Sequence, residues 1–283
     1  MITTLKNNTL TAQIKHLGAE LISLQSSNNK EYIWEGNPEF WGKHSPILFP
    51  IVGALKNNSY QYNGLEYHLS RHGFAREMEF KLLNATSNSA TFSLQSNDIT
   101  LQVYPFEFEL HVIYTLEEKT LSVGYQVINN GKSKIPFSIG AHPAFALPKQ
   151  FENYVIAFEK EEVLEYFLLQ EDLVSHEAKK LETVDSKQIL SYDLFINDAL
   201  IFKTIQSKSL TLLENNEPLL KVSYPDFPSL GLWTKMNAPF LCIEPWFGYS
   251  DTITSTSNLF DKEGIQILEV NGTFHSKFEI EIF

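Results

Sequence analysis

Alternation with a period of two residues constrains this chain more than any other feature. Phe106, Phe108, Leu110, Val112, Tyr114 and Leu116 recur at every second position, with Glu107, Glu109, His111 and Thr115 between them. Only an extended strand sends successive side chains to opposite faces, so this run is a strand with one buried face. After the polar link Glu117-Glu118-Lys119-Thr120 the pattern resumes at Leu121, Val123, Tyr125 and Val127 and stops at Asn129-Asn130-Gly131. The two runs pair as a hairpin. A second hairpin joins Tyr60-Gln61-Tyr62 to residues 65–69 through Asn63-Gly64, a dipeptide that accepts positive φ at both central positions of a type I′ turn.

The same texture fills the C-terminal third, with strands over residues 210–213, 219–223, 230–233, 240–244 and 264–270 and a final alternation of Phe278, Ile280 and Ile282. No amphipathic helix longer than about three turns is visible. Residues 159–169 and the polar stretch 170–187 are the best places for helical turns, although Phe158 and Leu169, just before them, are not capping types. The lack of βαβ alternation argues against a parallel sheet. No Pro/Gly/Ser-rich linker and no fixed-period repeat divides the 283 residues, and the polar stretch 170–188 reads as a surface excursion. The expectation is one all-β domain spanning residues 1–283. So many strands do not fit one strongly twisted open sheet, which leaves a large antiparallel β-sandwich as the simplest architecture.

Composition narrows the function. With 43% hydrophobic residues the chain can bury a large core, which excludes intrinsic disorder. A net charge of -12 without any Lys/Arg block offers no footprint for nucleic acid or for an anionic membrane surface. Residues 1–10 carry only Lys6 as a charge and no apolar stretch of signal-peptide length. The most apolar run, residues 46–55, contains two prolines and is too short to span a bilayer. A cytoplasmic protein is expected. The lone Cys242 supports neither an intrachain disulfide nor a cysteine-based zinc cluster and suits a reducing compartment. The sequons at Asn7, Asn57, Asn84 and Asn271 acquire meaning only on secretion.

Phosphate-loop, dinucleotide, nucleophile-elbow and His-Glu-x-x-His motifs are all absent. What remains are polar residues inside segments that otherwise look buried. In Ser70-Arg71-His72-Gly73-Phe74-Ala75-Arg76 the ordinary reading is a solvated strand end. His68 and His72 share a face at four-residue spacing, but Glu79 has the opposite parity, so no metal is expected. In Ile139-Gly140-Ala141-His142-Pro143-Ala144-Phe145 one imidazole sits among small and apolar residues, as a general acid or as a core histidine bonded to a carbonyl. In Phe240-Leu241-Cys242-Ile243-Glu244-Pro245-Trp246-Phe247-Gly248 a carboxylate closes an apolar run, as a tuned base or as the partner of a cation. Pro245 is expected to end the ladder there. Trp41, Phe49, Trp233, Trp246 and Phe247 lie in or near these segments; most aromatics fill cores, yet their faces also suit the C–H faces of a sugar.

Jointly, four ordered pieces resemble the aldose 1-epimerase (galactose mutarotase) family, in particular its bacterial LacX-like, mutarotase-related branch. They are residues 46–53 (Pro-Ile-Leu-Phe-Pro-Ile-Val-Gly), 72–76 (His-Gly-Phe-Ala-Arg), 140–145 (Gly-Ala-His-Pro-Ala-Phe) and 242–248 (Cys-Ile-Glu-Pro-Trp-Phe-Gly). The resemblance implies the family's large antiparallel β-sandwich, with no cofactor and no metal. It implies Glu244 as general base at the anomeric hydroxyl, His142 as general acid at the ring oxygen and His72 as the second histidine. It also implies a hydroxyl-binding aspartate, for which Asp198 is the match and Asp226 the competitor. Arg76 and Arg71 are expected to bind substrate oxygens or a phosphate, and Trp246 and Phe247 to wall the site. Relatives often carry Arg where this chain has Ala54, and Lys56 is a poor replacement for a planar guanidinium. The implied partner is a monosaccharide of the galactose or glucose type, bound by a monomer or homodimer. A hexose 6-phosphate, or sugar binding without turnover, are the alternatives.

Overall fold

The computed structural model describes residues 1–283. Two large antiparallel sheets dominate. The nine-stranded sheet runs in the order Lys187–Ile189, Tyr154–Phe158, Ser209–Glu214, Glu217–Ser223, Thr273–Ile282, Thr120–Asn129, Phe108–Glu117, Ser89–Gln95, Lys81–Ala85. The eight-stranded sheet runs Leu173–Leu181, Leu164–Gln170, Leu200–Phe202, Ser229–Trp233, Phe240–Phe247, Ile139–Ala141, Ile47–Leu48, with Ala144–Ala146 also paired to Phe240–Phe247. Both contribute to one apolar core: Leu110, Val112, Tyr114, Val123 and Ile280 from the first meet Phe202, Leu230, Leu232, Leu241 and Ile243 from the second. This is the sandwich the alternation predicts.

The hairpin of Phe108–Glu117 and Thr120–Asn129 pairs Leu116 with Leu121, and its residues alternate between buried and half-buried along nearly the whole length. Asn63 and Gly64 take φ of 51° and 76° between Ser59–Tyr62 and Leu65–His68, as a type I′ turn requires. One short α-helix, Asp98–Val103, starts at Asn97, whose side chain accepts hydrogen bonds from the Ile99 and Thr100 amides. No helix is long and apolar enough to cross a membrane.

Two sequence expectations need correction. Residues 159–187 hold no helix; Leu164–Gln170 and Leu173–Leu181 form a hairpin whose tip, Glu171-Asp172, has φ of 51° and 67°. Much of this hairpin is exposed or half-buried, so it shows no clean apolar face, and its turn lacks the Asn-Gly signal. Pro245 does not end its strand, which continues to Phe247. Pro245 stays paired with Leu230 on one side, while on the other the neighbouring chain breaks between Ile139–Ala141 and Ala144–Ala146. A residue without an N–H costs least at such a break.

Candidate active site

That break positions the chemistry. Gly140 pairs with Trp246 before it and Ala144 pairs with Cys242 after it. The same register continued across the gap puts His142 opposite Glu244. On the other side of the strand Gly231 pairs with Glu244, Ser229 with Trp246 and Trp233 with Cys242. Period two therefore places Trp246, Glu244 and Cys242 on one face, with His142 beside Glu244. The odd residues face the inter-sheet core, where Leu241 and Ile243 are buried.

Gly140 and Gly231 flank Trp246 for a steric reason. A Cβ on Gly231 would lie 2.4 Å from the Trp246 ring, and one on Gly140 would also lie 2.4 Å from it. The indole lies flat in the slot they leave and donates from Nε1 to the Ala141 carbonyl at 3.2 Å. Trp41 stacks on His142 with ring centroids 4.7 Å apart, and Trp233 meets the same imidazole edge-on at 5.7 Å. Together with Arg71, His72, Arg76, Asp198 and Glu244 these rings line one cleft of about 570 Å³, a size suited to a small molecule.

At its floor, His142 Nε2 lies 3.3 Å from Glu244 Oε2. Glu244 Oε2 and His142 Nδ1 are buried without a hydrogen-bond partner. Burial pushes the Glu244 carboxyl well above the usual carboxylate range; Arg71 opposes this, and the charge of Asp198 adds to it. Burial likewise pulls His142 down to about 3, against a bond to its own backbone and with help from Arg71 and Arg76. Close as they are, the two groups are not an ion pair: each is driven to its neutral form, so the pair holds a single proton.

His72, at φ 69°, accepts a 3.1 Å hydrogen bond on Nδ1 from the Gly53 amide. Burial, then the neighbouring His142, Arg71 and Arg76, hold it far below the usual histidine value. A neutral imidazole has one acceptor nitrogen, so its tautomer selects one of two donors. The Gly53 amide is one; the other is Arg71 Nε, which donates to His72 Nε2 at 3.2 Å. Arg71 is held from behind by Asp172 at the hairpin tip, at 2.7 Å.

Several sequence-stated residues therefore meet in one place: Glu244, His142, His72, Arg71, Arg76, Asp198 and Trp246 all line the cleft. Phe247 does not. Its parity turns it to the opposite face, where it packs on Phe227 and Phe274 at 4.8 and 5.0 Å. Asp226 is exposed and accepts from the Lys277 amide, away from the cleft, which leaves Asp198 as the aspartate in the site. Ala54 is buried, and Lys56 is tied to the Ile253 carbonyl, so neither supplies a cation there. His68 is exposed on Leu65–His68 and stands apart from the site. Lys235 and Ser250 also line the cleft, Lys235 donating to the Phe40 carbonyl. Neither belongs to a motif, so nothing in the sequence marks them.

The sequence model of the family described as aldose 1-epimerase matches residues 1–259. The chain belongs to the aldose 1-epimerase family. It is 35% identical over 293 residues to the plasmid-encoded LacX protein of Lactococcus lactis subsp. lactis, covering 98% of each chain. Among solved structures, a galactose mutarotase related enzyme from Lactobacillus acidophilus superimposes with a TM-score of 0.96 at 34% identity, over 100% of this chain and 97% of the other. A galactose mutarotase-like protein from Lactobacillus casei ATCC 334 gives 0.94 at 28% identity, over the whole of both. The aldose 1-epimerase sandwich is thus the fold in which this cleft is set.

Proposed function

We propose that the chain is a mutarotase that interconverts the α and β anomers of a free aldohexose by ring opening and closure, with no cofactor. The observation that carries this reading is the buried His142–Glu244 pair with one proton at the floor of a tryptophan-walled cleft. With the proton on His142, the Glu244 carboxylate takes the C1 hydroxyl proton while the imidazolium protonates the ring oxygen, and the hemiacetal opens. The pair then stands as carboxylic acid and neutral imidazole, the arrangement that burial favours. Rotation about C1–C2 presents the other carbonyl face, and the reverse transfers close the ring. Proton number never changes, so no solvent proton is needed in the closed cleft. Trp246, Trp41 and Trp233 take the apolar faces of the ring, Asp198 accepts from a hydroxyl, and Arg71 and Arg76 donate to sugar oxygens.

Anomer exchange of glucose and galactose, followed by polarimetry or by NMR, tests this. Glu244→Gln and His142→Ala should each lower kcat by about 10²- to 10⁴-fold; rates unchanged in both would overturn the mechanism. The wild-type rate should stay level between about pH 5.5 and 7.5, the window in which an ordinary imidazole titrates. The sign follows from the lowered value of His142: as pH falls through 6.5 it gains no proton. A second reading rests on the cations Arg71, Arg76 and Lys235 at the cleft, which favour a hexose 6-phosphate. Faster exchange of glucose 6-phosphate than of glucose would select it.

A further inference from the structure

Three ligand types converge at and just beneath the cleft floor in a way no sequence motif announces. His142, Cys242 and Glu244 place an imidazole nitrogen, a thiol sulfur and a carboxylate oxygen all within 4.8 Å of one another. The register explains why. Cys242 and Glu244 are two apart on one face of Phe240–Phe247, and His142 lies across from Glu244 and diagonal to Cys242. Ala144, the residue paired with Cys242 on the His142 side, is too small to intervene. Independently, Glu244 Oε2 is buried without a partner, its carboxylate 1% exposed and directed at the same point.

We propose that His142, Cys242 and Glu244 form a site for a thiophilic divalent cation, Zn²⁺ in chemical class, which blocks the cleft when filled. Three atoms within 4.8 Å of one another, two of them 3.3 Å apart, share a point no more than about 2.8 Å from each. Zinc needs about 2.3 Å to sulfur and about 2.0–2.2 Å to nitrogen and oxygen. Each ligand therefore moves by no more than about 0.5–0.8 Å to close on the ion, within the reach of side-chain torsions. Binding forms Zn–S, Zn–N and Zn–O bonds and expels two protons to solvent, one from the thiol and one from the shared His142–Glu244 pair; no electrons are transferred. The fourth, tetrahedral position faces the cleft and is left to water. Trp41 and Trp233 cover Cys242 from above, so the ion enters through the cleft itself.

The inference is independent of the proposed sugar chemistry, because metal binding is measured directly. Calorimetric titration of the full-length protein with ZnCl₂ should give one ion per chain, with release of about two protons when repeated in buffers of different ionisation enthalpy. Co²⁺ should give a thiolate-to-cobalt charge-transfer band that is absent in Cys242→Ser. Cys242→Ser should weaken Zn²⁺ binding by more than about tenfold, since even loss of an outer-shell partner costs about 10- to 100-fold. Should Cys242→Ser misfold by thermal melting, Cys242→Ala serves for the same comparison. Wild-type binding without the cobalt band, or Zn²⁺ affinity unchanged in His142→Ala or in the Cys242 variant, would overturn the site.

Discussion

The two large sheets are built from the same alternating chemistry and end in different states. Along Phe108–Glu117 and Thr120–Asn129 the nine-stranded sheet keeps one dry face and one wet face, with Ser122, Gly124 and Gln126 half-exposed between buried neighbours. Along Phe240–Phe247 the eight-stranded sheet is buried on both faces up to its last residue. A strand covered on both faces needs no polar residue for solubility, and burying one there is costly. Glu244 is in that position, and His142 lies opposite it. The contrast separates residues that hold the fold from residues that burden it, and mutations on the two sheets should fall on different observables.

The largest separation should come from Glu244→Gln, which loses about 10²- to 10⁴-fold in kcat while the fold gains. The raised carboxyl of Glu244 binds its proton more tightly folded than unfolded, so its stability contribution is present below the ordinary carboxylate range and is lost as pH rises towards its folded value. At pH 8 the glutamine variant should melt above the wild type, and near pH 4 the two should converge. A lower Tm for Glu244→Gln at pH 8 would show that the carboxyl is a structural anchor.

Leu110→Ala inverts the pattern. Leu110 is wholly buried on the dry face of the nine-stranded sheet, and truncation there should cost about 2–5 kcal/mol of unfolding free energy. Anomer exchange per folded molecule should be unchanged, measured well below the shifted Tm.

Much of this arrangement was legible in the sequence, and the parts that were not share a cause. Period two identified the two long strands Phe108–Glu117 and Thr120–Asn129 of the nine-stranded sheet because each has a wet face that breaks the apolar run. The shared facing of Glu244 and Trp246 stayed hidden because Pro245 reads as the end of a strand that in fact runs to Phe247. Phe247 sits in the motif beside Trp246, but odd parity sends it to the opposite face, against Phe227 and Phe274. The hairpin around Glu171-Asp172 escaped because both its faces are partly wet. Its absence from the sequence reading hid Asp172, the anchor of Arg71. Cys242 joins His142 only through a strand break, a non-local fact that one sequence cannot display.

Two glycines give the finest form of the comparison. Gly231, on the site face, has no room: a Cβ would meet three Trp246 ring atoms between 2.4 and 3.0 Å. Gly231→Ala should displace that indole, raise KM for sugar by about tenfold if the ring carries about 1.4 kcal/mol of binding, and cost about 1–3 kcal/mol of stability through overpacking. Gly124, on the wet face of the other sheet, has its nearest neighbour, Ile113 Cβ, at 3.6 Å, an ordinary contact. Gly124→Ala should leave kinetics untouched and raise stability by about 0.4–1 kcal/mol, by restricting the unfolded chain at no cost to the folded one. Chemical denaturation of both variants measures the pair. Equal losses at the two positions would mean that the strands tolerate side chains alike, and that Trp246 is not the reason position 231 is glycine.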